Sequence, residues 1–155
     1  MKLLCDQMLG TLSTWLRILG FDTSYAKQNS SDTELLLLAK TEERTLITRD
    51  TELMYQARKQ LIPCIYLQTT VLDEQLSIVL KQTPQDPALF LSRCTICNSP
   101  ITSIEKTKVK DKVPQRIYEQ HDTFWCCYMC KKIYWAGTHY THMLNKIEIL
   151  SQQIH

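Results

Sequence analysis

The sequence predicts an α/β protein, a mostly parallel sheet with helices on both faces, followed by a small C-terminal cysteine-bearing ribbon. Three observations predict it. Short apolar runs alternate with stretches of helical periodicity across residues 2–82. Two of those runs end in an aspartate, as strands delivering side chains to one sheet edge do. After Pro84 and Pro87 the alternation stops and two C-x-x-C pairs follow.

The elements follow in order. "KLLC" (2–5) is a buried strand stopped by Asp6. Met8, Leu9, Leu12, Trp15, Leu16 and Leu19 recur at helical spacing, and Gly20 stands where a C-cap glycine belongs. "DTSYA" (22–26) is a weak second strand. Ser31 with Glu34 forms a capping box ahead of a helix over about 32–43. "TLITR" (45–49) is the third strand, with a helix over about 51–60, and "PCIYL" (63–67) the fourth, with a helix over 72–82. The expected division is an α/β domain over 1–83 and a ribbon domain over 84–155 that closes on an amphipathic helix.

Composition narrows the class. With 44% apolar residues in 155, the chain can bury a real core. Residues 1–93 carry 10 Lys/Arg against 11 Asp/Glu, net −1, and residues 94–155 carry 8 against 5, net +3. The total of +2 is too small to mark a nucleic-acid binder, but the balance is uneven along the chain. Asp6 interrupts the only apolar start, and no run is long enough to span a bilayer, so a soluble, cytoplasmic protein without membrane contact is expected. Three glycines exclude a phosphate-cradling glycine loop.

Asp6, Asp32 and Asp50 stand at helix starts, and parallel topology places at least Asp6 and Asp50 on one edge. Convergent carboxylates of this kind suit Mg²⁺ or Mn²⁺, which retain several waters and support phosphodiester hydrolysis. Each aspartate alone also reads as a helix cap, and Arg49 offers charge balance without metal. Glu34, Glu52 and Asp73 are candidates for a fourth acid.

Cys94-x-x-Cys97 and Cys127-x-x-Cys130 have the spacing of a structural Zn(Cys)₄ ribbon. Disulfides and a thioredoxin-like pair are the alternatives. Cys126 leaves the register open, although the shared two-residue gap favours Cys127. His121, His139 and His142 are possible substitute ligands, and Cys5 and Cys64 read as core residues. Between the pairs, Lys106, Lys108, Lys110 and Lys112 alternate ahead of Arg116. In a strand this puts the lysines on one face, as an RNA-phosphate contact or a solvated hairpin edge. Phe124, Trp125, Tyr134, Trp135 and Tyr140 are either base-stacking surfaces or the ribbon's small core.

Taken together, "CDQMLGTLSTWLRILGFDT" (5–23), "SDTELLLLAK" (31–40), "RTLITRDTEL" (44–53), "EQL" (74–76), "RCTICN" (93–98) and "CYMCKKIYWAGTH" (127–139) resemble the Mut-seven C-terminal ribonuclease-like domain family, a PIN-like nuclease fold joined to a zinc ribbon. The resemblance spans nearly the whole chain in order, with Ser13-Thr14 where the family commonly has Ala-Arg. It implies that Asp6, Asp32 and Asp50 bind the catalytic Mg²⁺ or Mn²⁺. It further implies that Arg17, Thr48 and Arg49 flank them and hold phosphate, that Cys94, Cys97, Cys127 and Cys130 hold zinc, and that RNA is the substrate. A non-catalytic RNA-binding or protein-docking module of the same fold is the alternative expectation, its protein partner unknown.

Overall fold

The computed structural model describes residues 1–154, with side chains through Gln152. Four strands, β1 (Lys2–Cys5), β2 (Asp22–Tyr25), β3 (Thr45–Thr48) and β4 (Cys64–Tyr66), form one parallel sheet in the order β2-β1-β3-β4. Between and after them run α1 (Gly10–Ile18), α2 (Asp32–Thr41), α3 (Thr51–Lys59) and α4 (Leu72–Gln82).

The strands' two-residue period divides the core. Leu3, Cys5, Ile47 and Ile65 face one side, where Leu12 and Leu16 of α1 and Leu76 and Val79 of α4 cover them. Leu4 and Leu46 face the other side, packed by Leu35 and Leu36 of α2 and Leu53 and Ala57 of α3. Both faces of the sheet are thus buried under helices, as parallel sheets require.

Helix ends set the strand entries. α1 closes in a Schellman motif, with Phe21 N–H donating to Leu16 O (3.0 Å) and Gly20 N–H to Arg17 O (2.9 Å). Gly20 has φ +86°, and a Cβ there would lie 2.4 Å from Leu89 O, so the position admits only glycine. α2 and α3 end in the same way on Glu43 (φ 54°) and Leu61 (φ 57°), which is why both helices stop short of their expected ends.

The ribbon is a three-stranded antiparallel sheet of β5 (Thr102–Ile104), β6 (Phe124–Cys126) and β7 (Ile133–Trp135), in the order β5-β6-β7. A short helix, α5 (Gln115–Gln120), precedes β6, and α6 (Thr138–Ile154) follows β7. α6 reaches back to the first layer, where Ile147 and Leu150 join the core cluster of α1 and α4.

One expectation is corrected. Residues 106–116 are not a strand: Lys106–Val109 is a 3₁₀ turn, and α5 begins after Pro114. The cause is a single buried anchor, Val109, fully excluded from solvent, around which Lys108, Lys110 and Lys112 point outward. One apolar residue pins a turn, whereas a strand face needs several at period two.

Candidate functional site

β1 and β3 are neighbours, with Cys5 opposite Ile47, so Asp6 and the end of β3 emerge together at the carboxyl edge of the sheet. Asp6 is 6% exposed, yet both its oxygens are satisfied. Oδ1 accepts from Gln7 N–H (2.7 Å) and Oδ2 from the Thr48 hydroxyl (2.7 Å). That hydroxyl in turn accepts from Asp50 N–H at 2.9 Å. Asp50 caps α3 through Oδ1, which accepts from Glu52 N–H (2.8 Å) and Leu53 N–H (3.1 Å), leaving Oδ2 without a partner among the described residues.

Asp32 is the first residue of α2. Ser31 and Glu34 complete the capping box of α2, with Ser31 N–H on Glu34 Oε2 (2.8 Å) and Glu34 N–H on Ser31 Oγ (3.2 Å), so the Asp32 carboxylate is not consumed as a cap. Gln7 positions the loop that leads to it: its Nε2 donates to Ser30 O (2.8 Å), its Oε1 accepts from Asn29 N–H (3.2 Å), and the Tyr25 hydroxyl donates to its carbonyl.

Asp32 senses the other acids. Burial pushes the Asp32 carboxyl up, and the charges of Asp50, Asp6 and Glu52 push it further in the same direction. Of the candidates for a fourth acid, Glu52 faces this group. Glu34 is spent on its cap, and Asp73 pairs with Lys146. Arg49 forms no ion pair among the described residues, and its Nε is buried without a hydrogen-bond partner. Nor does Arg17 flank the acids. It is buried, with Nε on Thr23 O (2.9 Å) and Nη1 on Thr95 O (2.9 Å) and Ile96 O (3.0 Å), so it ties α1 to the first cysteine knuckle.

Cys94, Cys97, Cys127 and Cys130 come together with all four sulfurs within 4.8 Å of one another, a cluster that could hold a metal such as zinc. Cys94–Cys130 and Cys97–Cys127 are 3.5 and 3.3 Å apart, far beyond a disulfide bond and near the roughly 3.8 Å edge of a tetrahedron with about 2.3 Å Zn–S bonds. The knuckles are alike: Asn98 N–H returns to Cys94 O and Lys131 N–H to Cys127 O, with Asn98 at φ 69° and Lys131 at φ 67°. This shared turn starts at Cys127, while Cys126 is buried in β6. Burial raises the Cys97 thiol, but hydrogen bonds from Ser99 and the neighbouring cysteines outweigh it and bring it to about 6. The Tyr134 hydroxyl lies 3.1 Å from Cys94 Sγ, as an outer partner of a ligand does. No histidine belongs to the cluster.

Among the described residues, the cysteines are the only group of three or more potential ligands this close together; Asp6, Asp32 and Asp50 share an edge without reaching that proximity. Of the basic residues, Lys106 pairs with Asp122 at 2.9 Å, Lys108 lies 4.0 Å from Glu105, and Lys110, Lys112 and Arg116 are exposed. They ring a turn and α5 and do not form one strand face.

Docking of the ribbon fixes the relation of the two sheets locally. Asn98 Nδ2 donates to Asp22 Oδ1 (2.8 Å), and Asn98 Oδ1 accepts from Thr23 N–H (2.9 Å), which covers the outer edge of β2.

A parallel α/β sheet with an acidic carboxyl edge and a docked four-cysteine ribbon defines the class. The chain belongs to the Mut7-C RNAse domain family, whose model matches residues 1–147. No curated protein and no solved structure matches it. Among the described residues, no helix is long and apolar enough to cross a membrane.

Proposed function

We propose that the protein is a ribonuclease dependent on Mg²⁺ or Mn²⁺, with Asp6, Asp32 and Asp50 as metal-holding residues, Glu52 as the fourth acid and a structural zinc on the four cysteines. The observation that carries this reading is the meeting of Asp6 and Asp50 at one sheet edge through the Thr48 hydroxyl, with Asp32 near enough to feel their charges and no cation paired to them among the described residues. Family membership supports ribonuclease-type chemistry.

The donor set fits a hard divalent cation. All the ligands are oxygens, Asp32 and Asp50 retain unused ones, and carboxylates spaced wider than direct contact suit an ion that keeps several of its waters. Such an ion, when bound, supplies positive charge to the phosphate and acidity to the attacking water. The chain's own contribution is placement. Thr48 orients Asp6, the α3 cap fixes Asp50, and Gln7 holds the loop that leads to Asp32. Arg49, half-buried and without an ion pair among the described residues, follows Thr48 directly and is the cation proposed for the phosphate. A water oxygen then bonds to phosphorus, its proton passes to a carboxylate, and the bond from phosphorus to the leaving sugar oxygen breaks.

The cap hydrogen bonds favour a second reading, a non-catalytic RNA-binding module in which Asp6 and Asp50 act only as caps. The two are separated by incubating end-labelled RNA with zinc-loaded protein, with and without added Mg²⁺ or Mn²⁺. Metal-dependent product supports the nuclease. RNA binding that is independent of Mg²⁺ and Mn²⁺, yields no product, and has a salt dependence set by Lys106, Lys108, Lys110, Lys112 and Arg116 supports the binding module.

A further inference from the structure

The ribbon's aromatic residues enclose a cavity of about 190 Å³ that neither the acidic edge nor the cysteine cluster uses. Its walls come from four parts of the fold: Trp125, Tyr134 and Trp135 from β6 and β7, Tyr140 from α6, Phe90 and Arg93 from the segment joining the two sheets, and the end of α1. Only Phe124 among the ribbon's aromatics is fully buried, so it supplies the core, while Trp125, Tyr134, Trp135 and Tyr140 remain half-exposed around the opening. Trp125 and Tyr140 lie nearly parallel, with planes 10° apart and centroids 6.3 Å apart.

Size and chemistry select the occupant. The cavity is smaller than the roughly 300–1,000 Å³ pockets of whole ligands, so it takes a single flat ring system. Its lining is apolar and aromatic. The indole N–H groups of Trp125 and Trp135 and the Tyr140 hydroxyl form no hydrogen bond among the described residues and are not buried orphans, so they are available to the polar edge of a heterocycle. One cation lines it, and a second lies against one of its wall rings. Arg93 is held in place by Gly20 O (3.3 Å) and Asn98 O (2.8 Å), and Lys132 Nζ sits 5.1 Å from the Tyr134 ring. The C-terminal half as a whole carries net charge +3, which complements a polyanion.

We propose that this cavity is a nucleobase pocket for single-stranded RNA, in which one base stacks on Trp125 and Tyr140 while its phosphates follow Arg93 and Lys132. The proposal rests on the reading of RNA as the ligand and specifies the kind. A base inside a duplex is already stacked and paired, so only an unpaired strand can present one. The pocket is also remote from the acids. Ile18, the last residue of α1, lines it, whereas Asp6 precedes that helix, whose nine residues span about 13 Å. The stacked base therefore belongs to a nucleotide other than the one cleaved.

The test uses the zinc-loaded full chain without added Mg²⁺ or Mn²⁺, titrated with three probes of equal length: a single-stranded oligoadenylate, an abasic strand and a duplex. The oligoadenylate is expected to quench tryptophan fluorescence and to bind at least about tenfold more tightly than the abasic strand, with the duplex no better than the latter. Trp125→Leu and Tyr140→Leu should each weaken oligoadenylate binding roughly 5- to 100-fold. Zinc content and urea midpoint report whether each variant is folded. Equal affinity for the base-bearing and abasic strands, or unchanged affinity in both folded variants, would overturn the pocket. Cleavage with Mg²⁺ or Mn²⁺ separates the two readings. Base-dependent binding without product under any metal defeats the nuclease and leaves the pocket, while normal KM and kcat in both variants defeats the pocket and leaves the nuclease.

Discussion

The Thr48 hydroxyl donates to Asp6 Oδ2 at 2.7 Å and accepts from Asp50 N–H at 2.9 Å, so one side chain at the end of β3 sets the positions of two acids from different strands. Thr48 is fully buried, and neither bond can be replaced by water without moving the edge. Thr48→Val keeps the shape and removes both bonds. It is expected to cost about 1–3 kcal/mol in urea unfolding and to lower saturated RNA cleavage more than tenfold, while Thr48→Ser restores both. Equal cleavage by the valine variant would show that the hydroxyl orients nothing.

If the acids hold a divalent ion, that ion stabilises the fold by mass action. At about 100 times its dissociation constant the gain is about 2.7 kcal/mol, which in a chain of this size raises Tm by roughly 5–10 °C. Differential scanning fluorimetry of zinc-loaded protein with added Mn²⁺ reads this shift, and Asp32→Asn should remove most of it.

The ribbon's docking is pH-sensitive in one direction. Burial raises the Asp22 carboxyl, but hydrogen bonds from Arg44 and Asn98 and the charges of Arg44 and Arg93 outweigh it and hold the group below its ordinary value. A depressed folded-state pKa contributes stability above the unfolded value, about 3.9, and loses it as pH falls through the lower folded one. Asp22→Asn should therefore be about 1–3 kcal/mol less stable than wild type near pH 6, with the gap closing below about pH 4. Urea titrations across this range measure it.

Zinc content tests the register of the second knuckle. Cys126→Ser should retain one zinc per chain, whereas Cys127→Ser and Cys97→Ser should lose it together with the near-ultraviolet dichroism of the ribbon's tryptophans. A chelator should reproduce the loss in wild type.

Leu61 ends α3 at φ 57° with 90% of its surface exposed, a conformation and an environment that both disfavour leucine. Leu61→Gly removes the strain at an entropic cost to the folded state, and a net gain of about 0.5–1 kcal/mol is expected, read as a Tm increase of a few degrees.

The α/β layer was legible because its code is dense. Buried parallel strands leave unbroken apolar runs, and Leu12, Leu16, Leu53 and Ala57 recur at helical spacing on the faces that pack them. The cysteine cluster was legible because knuckle spacing is a local constraint. The stretch 106–116 was not, since its lysine alternation imitates a strand while the fold is decided by Val109 alone. Arg17 was misplaced for a related reason: its neighbours in sequence say nothing of Thr95 and Ile96, 78 and 79 residues on, whose carbonyls claim it. Gln7 was missed as a positioning residue. Its one sequence signal is its place directly after a strand-ending aspartate, and the loop it holds lies 23 residues away.

The most direct test of the acidic edge is single-turnover cleavage of end-labelled single-stranded RNA by protein that keeps its zinc but has been freed of other metals, then given Mg²⁺ or Mn²⁺, alongside Asp6→Asn and Asp50→Asn. Cleavage is expected to be restored by either ion in wild type and lost in both variants, which remain folded and zinc-loaded. Cleavage that persists in the folded variants, or none in any of the three with RNA still bound, would contradict the nuclease reading.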